Sequence, residues 1–167
     1  MALAHDLLVQ SEYLAHLDGR RPKQASLRRA VSTAYYALFH LLVRDAIQRL
    51  SPGRPAGLSA RIGRAFSHGE MKKACQSILE RRPSPVLSGL APQGFSPDLA
   101  LVAQAFVELQ EARHAADYDL AADLSRTETL DYVQQASDAF SAWGRVRGDD
   151  EATVFLAALL FAARWSK

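Results

Sequence analysis

The feature that most constrains this fold is one long stretch, residues 23–50, which contains neither glycine nor proline. Its apolar residues recur at steps of three and four, which places them on one face of a helix. They are Leu27, Val31, Ala34, Leu38, Leu41 and Leu42. A neighbouring polar and aromatic stripe consists of Arg29, Thr33, Tyr36, His40 and Arg44. Two interpretations stay open: a half-buried surface that meets another helix or a ligand, or a packed helix whose Tyr and His tips reach water.

The rest of the chain repeats this helical pattern between short breaks. Ser96-Pro97-Asp98 is typical of a helix start, and Ser125 with Glu128 has the spacing of a capping box. The patterns predict helices over residues 2–17, 23–50, 58–66 and 69–79, from 96, from 125 to 148 and from 149. In the first helix, the residues expected to face the core are Leu7, Leu8, Leu14 and Leu17. Residues 82–95, rich in Pro and Gly, are predicted to be a loop, either a connector or a flap over a site.

The predicted fold class follows from the periodicity. No segment alternates with a period of two over a useful length, so no strand is predicted. We expect an all-α fold, an antiparallel up-and-down bundle of four to five main helices that spans residues 1–148. Residues 149–167 should form a C-terminal helix that is apolar on most sides. Because such a helix must be covered, we expect it to pack on the bundle or on a second subunit, with a dimer contact favoured.

Composition narrows the setting. Cys75 is the single cysteine, which excludes an intrachain disulfide and favours a reducing, cytoplasmic location. The longest apolar run, residues 154–163, is far shorter than the ~18 residues that a membrane span needs, so we expect a soluble protein without a membrane partner. No signal peptide is visible at the start. The five histidines are scattered, and neither a metal site nor a cofactor is predicted.

Charge is unevenly distributed along the chain, although the formal net charge is only +2. Residues 20–82 contain 14 Lys or Arg against three acids, whereas residues 83–148 contain four against nine. A basic segment of this kind can attract a phosphate backbone or an acidic protein. The alternative is that folding brings the two segments together and neutralises them.

The helix that starts near residue 96 carries a cation where an apolar residue is expected. Its apolar stripe is Val102, Phe106 and Leu109. The next step of four falls on Arg113, and a guanidinium on a buried stripe needs an anionic partner. Asp117, one turn further on, can pair with it, and Asp119 or a phosphate are the other candidates. The position is therefore either a structural Arg–Asp pair or an anion site, since Arg presents a forked set of donors.

Two motifs on these helices occur in a distinctive order. Residues 29–40 read RAVSTAYYALFH and residues 113–119 read RHAADYD, with Ser67-His68-Gly69 between them. They resemble the R-A-x-x-A-Y-Y-A-x-F-H helix, the following turn and the R-x-x-A-D-Y signature of prokaryotic HEPN-domain proteins. The order and the gaps also match, over residues 5–143.

The resemblance implies a helical bundle, commonly a homodimer, that often acts beside a nucleotidyltransferase in two-component, toxin–antitoxin-like systems. Active members cut RNA without a metal through an Arg-x(4–6)-His pair, in which one group moves a proton and the cation stabilises the phosphorane. This chain departs from that pattern. The positions at the required spacing after Arg113 are Tyr118, Asp119 and Leu120. His114 is adjacent and points about 100° away on a helix.

Three functional hypotheses follow. The first is a non-catalytic or weakly active HEPN-like module that binds RNA, a nucleotide or a nucleotidyltransferase partner. Its candidate ligand-binding residues are Arg29, Tyr36, His40, Arg113, Asp117, Tyr118 and Asp119. The second is an active metal-independent ribonuclease built from the same residues. The third is a scaffold in which the Arg–Asp–Tyr cluster only holds helices together.

Overall fold

The part of the chain that the structure describes is helical. This structure is a computed structural model, which describes residues 2–53 and 55–165. The helices are α1 (Ala2–His16), α2 (Gln24–Leu50), α3 (Ala56–Ala65), α4 (His68–Leu79), α5 (Pro85–Leu90), α6 (Pro97–Tyr118), α7 (Arg126–Val146) and α8 (Asp150–Trp165). No strand occurs among the described residues, so the all-α prediction is confirmed.

Two predicted helix starts carry their capping bonds. At α6, the backbone N–H of Leu99 donates to Ser96 Oγ at 3.4 Å. At α7, the backbone N–H of Glu128 donates to Ser125 Oγ (3.1 Å) and that of Ser125 donates to Glu128 Oε2 (2.9 Å). This reciprocal pair is the predicted capping box. Both starts are fixed locally, because these bonds satisfy N–H groups that lack partners inside the helix.

The predicted loop at residues 82–95 contains a short helix, and the prediction was wrong there. α5 covers Pro85–Leu90, and the N-cap Ser84 accepts the backbone N–H of Leu87 at 3.3 Å. A proline in the first helical turn is tolerated because its missing N–H would have had no intrahelical partner. Leu87 is only 2% exposed and anchors the helix.

The buried side of α1 also differs from the prediction. Its fully buried residues are small: Ala4, Ser11 and Ala15. The predicted core residues Leu7, Leu8 and Leu14 are half-buried, and Leu17 is 47% exposed. Small side chains allow the closest approach of two helices, so they set the contact line and the leucines flank it.

The helices divide into two compact units. Unit 1 consists of Met1–Leu41 and Glu108–Ser141, and unit 2 consists of Leu42–Val107 and Ala142–Lys167. Helices α2, α6 and α7 each contribute residues to both units. The predicted boundary at residue 148 lies within unit 2, which therefore contains α8 together with α4 and α5.

In unit 1, α1 and α7 run antiparallel. The rings of His5, near the start of α1, and Phe140, in the second half of α7, lie with centroids 5.3 Å apart. At the other end of α1, the carbonyl of Ala15 accepts Arg126 Nε at 3.0 Å, and Arg126 is the first residue of α7. The start of each helix therefore lies beside the end of the other.

In unit 2, one face of α8 is covered by its own chain, whereas Phe161 is 37% exposed. It packs against α4 and α5, and its buried residues are Ala152, Phe155, Leu156, Ala158 and Leu159. The Phe155 ring lies against the buried Trp143 of α7, with centroids 5.9 Å apart. Within the described residues, none of the helices combines the length and the apolar character needed to cross a bilayer.

The two units differ in charge. Unit 1 contains seven Lys or Arg against 11 Asp or Glu, whereas unit 2 contains 13 against seven. The end of α6, where the candidate site was predicted, belongs to the acidic unit. Long-range attraction of phosphate to this site is therefore not expected from the charge of its own unit.

Candidate anion-binding site at the end of helix α6

Arg113 lies near the end of α6 and is held by the next turn of the same helix. Its Nε donates to Asp117 Oδ2 at 2.8 Å, in an i,i+4 pair whose side chains are 15% and 27% exposed. The stripe that leads to it is buried, as predicted: Val102, Phe106 and Leu109. The cation therefore lies at the margin of the core, with part of its surface open to water.

Three tyrosine rings surround this guanidinium. Arg113 Cζ lies 5.2 Å from the ring centroid of Tyr36, 5.7 Å from that of Tyr35 and 5.9 Å from that of Tyr118. A cation within about 6 Å of an aromatic centroid is attracted by the ring quadrupole. Tyr35 is fully buried, whereas Tyr118 is 64% exposed. We call Arg113, Asp117 and these three tyrosines the Arg113 cluster; its open side is formed by Tyr118.

The charge of Arg113 is secured by its neighbours. Burial disfavours the charged form, but the Tyr36 phenol, the Asp117 carboxylate and Tyr118 together outweigh it. The pKa of Arg113 is therefore raised above its ordinary value. A guanidinium of this kind does not exchange protons near neutral pH, so it can stabilise a negative charge but cannot act as a general base.

Asp117 is oriented from two helices. The Ser32 hydroxyl of α2 donates to its Oδ1, and Arg113 donates to its Oδ2. Further along α2, Tyr36 contacts Arg113, which precedes Asp117 in α6. The residue numbers therefore rise along α2 as they fall along α6, so these two helices run antiparallel in unit 1, as predicted for the bundle.

Arg28 caps the end of α6. Its Nη1 donates to the carbonyl oxygens of Ala116 (3.1 Å) and Asp119 (2.7 Å), and its Nη2 donates to that of Ala122. The last carbonyls of a helix have no intrahelical partner and carry the negative end of the helix dipole. One guanidinium therefore neutralises this helix end and fixes the turn that follows it.

His40 adjoins the cluster through Tyr36. The His40 ring centroid lies 6.3 Å from that of Tyr36 and 5.5 Å from that of Phe39. Burial lowers the pKa of His40, so its imidazole is neutral at pH 7. The predicted tyrosine–imidazole surface on α2 is therefore present as an uncharged, half-buried surface.

Exposed residues occupy the positions at which the ribonuclease pattern requires histidine. Tyr118 is 64% and Leu120 is 96% exposed. Asp119 is also exposed, and its Oδ1 accepts a backbone N–H two residues further on at 2.9 Å. The His114 ring lies 5.1 Å from that of Tyr118, so an imidazole does flank the open side of the cluster.

The face of α2 that meets α6 is rotated from the predicted stripe. Arg29 is exposed and Thr33 is buried, and neither belongs to the contacts that define the cluster. Arg28 and Ser32 take those roles instead, one position earlier, which corresponds to about 100° around the helix. Arg28, Ser32 and Tyr35 are spaced by four and three residues, which places them on one face of a helix. The sequence therefore does contain a pattern that predicts this face.

The cluster is suited to an anion rather than to a metal ion. Among residues 2–53 and 55–165, no group of three or more His, Cys, Asp or Glu could hold a metal ion. No family model, no curated protein and no solved structure matches the chain. The HEPN resemblance therefore rests on the motif residues alone.

Proposed function

We propose that this chain is a HEPN-like module that binds unpaired RNA or a nucleotide at the Arg113 cluster without cleaving it. The observation that carries the proposal is a permanent cation held among three tyrosine rings, of which the outermost is 64% exposed. Unpaired bases stack on aromatic rings, and a guanidinium binds phosphate through its forked donors. The cluster offers an exposed aromatic ring and a guanidinium that lie 5.9 Å apart.

The contacts around the cluster favour this function over a purely structural one. Arg28 already caps the carbonyls at the end of α6, and Ser32 already ties Asp117 to α2. Holding the helices together therefore does not require a second arginine at the margin of the core. Nor does it require Tyr118, most of whose surface faces water.

The spacing of residues after Arg113 favours binding over cleavage, although the His114 ring lies 5.1 Å from that of Tyr118. Cleavage at a ribose 2′-OH needs a group that can take up and release a proton near neutral pH. Arg113 cannot do this, and no histidine stands at the Arg-x(4–6)-His spacing after it. Arg113 can still hold a phosphate, which is what a binding module requires.

The acidic charge of unit 1 supports a stacking mode of binding. With 11 acids against seven bases, the unit does not attract a polyanion at long range. One phosphate contact on a single strand gives a slope of about −0.7 for log K against log salt concentration. Binding at this site should therefore depend weakly on salt.

The resemblance extends the proposal to partners and location. We place the chain in the cytoplasm, in a two-component, toxin–antitoxin-like system with a nucleotidyltransferase partner. Homodimer formation is supported by large apolar side chains on the outside of α1, where Leu3 is 58%, Val9 67% and Tyr13 62% exposed. Light scattering of the Val9→Glu, Tyr13→Glu variant against the unchanged chain tests this, and the variant should be monomeric.

The main experiment measures binding of a labelled single-stranded RNA by fluorescence anisotropy. Arg113→Gln should weaken binding at least about tenfold, since a charge-assisted hydrogen bond is lost. Tyr118→Ala should cost about 1–3 kcal/mol of binding free energy, the range for one stacked base. The matched control is Arg145→Gln, because Arg145 also pairs with an aspartate (Asp98, 2.6 Å) but has no described contact with a tyrosine ring. The control should bind like the unchanged chain.

Cleavage is checked on the same RNA in EDTA on a denaturing gel. The RNA should remain intact. Fragments that disappear in Arg113→Gln would establish the ribonuclease alternative instead. Equal binding by Arg113→Gln and the unchanged chain would overturn the proposal, and a sharply lowered melting temperature of Arg113→Gln would then favour the scaffold hypothesis.

A further inference from the structure

A cavity that is unrelated to the Arg113 cluster opens on unit 2 among α4, α5 and α8. Its volume is about 430 Å³, within the usual range for small-molecule sites. Three alanines in its lining, Ala74, Ala162 and Ala163, leave the space that larger residues would fill. Elements distant in sequence therefore converge on one concave surface.

The inner lining of this cavity is apolar and partly aromatic. Leu87, which is 2% exposed, lies on the α5 side, and Trp165 contributes an aromatic ring from the last turn of α8. An indole ring and an isobutyl group suit an apolar or aromatic body of a ligand. These two side chains carry no charge, so they alone would not distinguish one apolar ligand from another.

The polar lining carries charges of both signs. Lys73 Nζ lies 3.1 Å from Glu70 Oε1, with side chains that are 73% and 41% exposed. Ser77 and Ser84 also line the cavity, and the Ser84 hydroxyl accepts the backbone N–H of Leu87. A purely anionic ligand would meet Glu70, and a purely cationic ligand would meet Lys73. A ligand with an ammonium and a carboxylate on neighbouring atoms complements both.

We infer that this cavity binds a hydrophobic α-amino acid. The ammonium lies at Glu70, the carboxylate lies at Lys73, and the side chain fills the space beside Leu87 and Trp165. The site is formed by unit 2 alone and does not involve the Arg113 cluster.

The chain provides its own reporter for this ligand. It contains two tryptophans. Trp165 lines the cavity, whereas Trp143 is 1% exposed and donates its Nε1 to Asp45 at 2.7 Å. A ¹⁵N–¹H correlation spectrum of the full chain shows one indole resonance for each, and Trp165→Phe assigns them. Binding should move the Trp165 resonance and leave that of Trp143 in place.

Four probes test each part of the ligand: L-phenylalanine, 3-phenylpropionate without the ammonium, 2-phenylethylamine without the carboxylate, and glycine without the side chain. Phenylalanine should bind about fivefold more tightly than either singly charged analogue, the size expected for one exposed charge pair. Glycine should not shift the resonance. The inference is overturned if no probe moves the Trp165 resonance, or if either analogue binds as tightly as phenylalanine.

Substitutions assign the two charges. Glu70→Gln should make phenylalanine and phenylpropionate equivalent, and Lys73→Gln should do the same for phenylalanine and phenylethylamine. Ala162→Leu should block the three probes that carry a phenyl group, because it fills the cavity. Arg113→Gln should bind phenylalanine normally, which keeps this result independent of the RNA experiment. If both charge variants kept the selectivity of the unchanged chain, the assignment of the two charges would be contradicted.

Discussion

Two arginines near opposite ends of α2 perform the same task with different surroundings. Arg28 donates to carbonyls at the end of α6, and Arg49 donates to the carbonyls of Arg147 (2.5 Å), Gly148 (3.0 Å) and Asp149 (3.0 Å) after α7. Arg28 satisfies a carbonyl of the last turn of α6, whereas Arg49 satisfies carbonyls of the three residues that follow α7, and both cations oppose the helix dipole. The capping of a helix end by an arginine of α2 therefore has a structural role in both units.

The difference lies in the aromatic residue that accompanies the second arginine at each helix end. At the end of α7, Arg147 lies 3.3 Å from Asp45, which also accepts Trp143 Nε1 and is 6% exposed. There the carboxylate and the indole are buried. At the end of α6, the corresponding second cation is Arg113, beside the largely exposed Tyr118.

This contrast teaches how a capped helix end becomes a candidate site. In the Asp45–Trp143–Arg147 arrangement the carboxylate and the indole are buried and the Arg147 side chain is 40% exposed, so removal of a partner leaves the buried Asp45 carboxylate poorly paired. The Arg113 cluster keeps the aromatic ring of Tyr118 at the surface, beside a permanent cation that is 15% exposed. It can therefore gain contacts from a ligand without first losing those that hold the helix.

The largest predicted loss of stability comes from a substitution near the end of α7. Trp143→Ala should lower the free energy of unfolding by about 3–5 kcal/mol, because it opens a cavity in the core. It also removes a donor from the buried Asp45 carboxylate. Urea unfolding followed by circular dichroism measures this. Trp143→Phe keeps most of the volume and should cost less; an equal loss would mean that the hydrogen bond, not the packing, dominates.

The next effect compares the two capping arginines directly. Arg28→Met and Arg49→Met should each cost about 1.5–3 kcal/mol, the range for hydrogen bonds made by a charged group. Methionine keeps much of the apolar stem, so the loss reports mainly on the guanidinium. The same urea experiment applies to both variants. If Arg28→Met were neutral while Arg49→Met were not, the proposed equivalence of the two helix ends would be broken.

A smaller effect is expected at the second arginine of the α6 end. Arg113→Gln should lower the free energy of unfolding by about 1 kcal/mol or less, since its ion pair with Asp117 is partly exposed. Tm by calorimetry is the measurement. A loss as large as that of Arg49→Met would show that Arg113 is needed to hold the helices, and would favour the scaffold hypothesis.

The smallest effect concerns pH. Burial lowers the pKa of His40, so between this lowered pKa and about 6.5 the unfolded chain binds more protons than the folded chain at this residue. Stability should therefore rise with pH in that interval, and its His40 contribution should fall as the pH drops below about 6.5. His40→Gln should flatten the dependence in chemical unfolding at pH 5.5–7. The exposed His16→Gln is the control, and a slope unchanged in His40→Gln would assign the effect elsewhere.

Local sequence rules predicted much of the fold. The capping box at Ser125 and Glu128 is complete within four residues, so its bonds do not depend on distant partners. The i,i+4 pair of Arg113 and Asp117 is equally local. By contrast, Pro85 was interpreted as a loop residue although it begins α5, because proline is compatible with both a break and a first turn.

The orientation of α2 in unit 1 was beyond local rules. Arg29 and Arg28 are adjacent and chemically identical, and only the contact with α6 decides which of them meets the helix end. The separation of charge was equally open, because the basic segment at residues 20–82 contributes to both units. Its position in the fold, not its position in the chain, leaves unit 1 acidic and unit 2 basic.

The amino-acid sequence by itself determined where most helices begin and end, and that a cation would follow the buried stripe of α6. These features depend on hydrogen bonds and spacings within a few residues. Only the tertiary structure decided that Arg28 meets the end of α6, that Ser32 donates to Asp117 and that Tyr35 lies beside that cation. Each residue turns a helix by about 100°, and the packing of several helices at once selects the rotation that buries the most apolar surface.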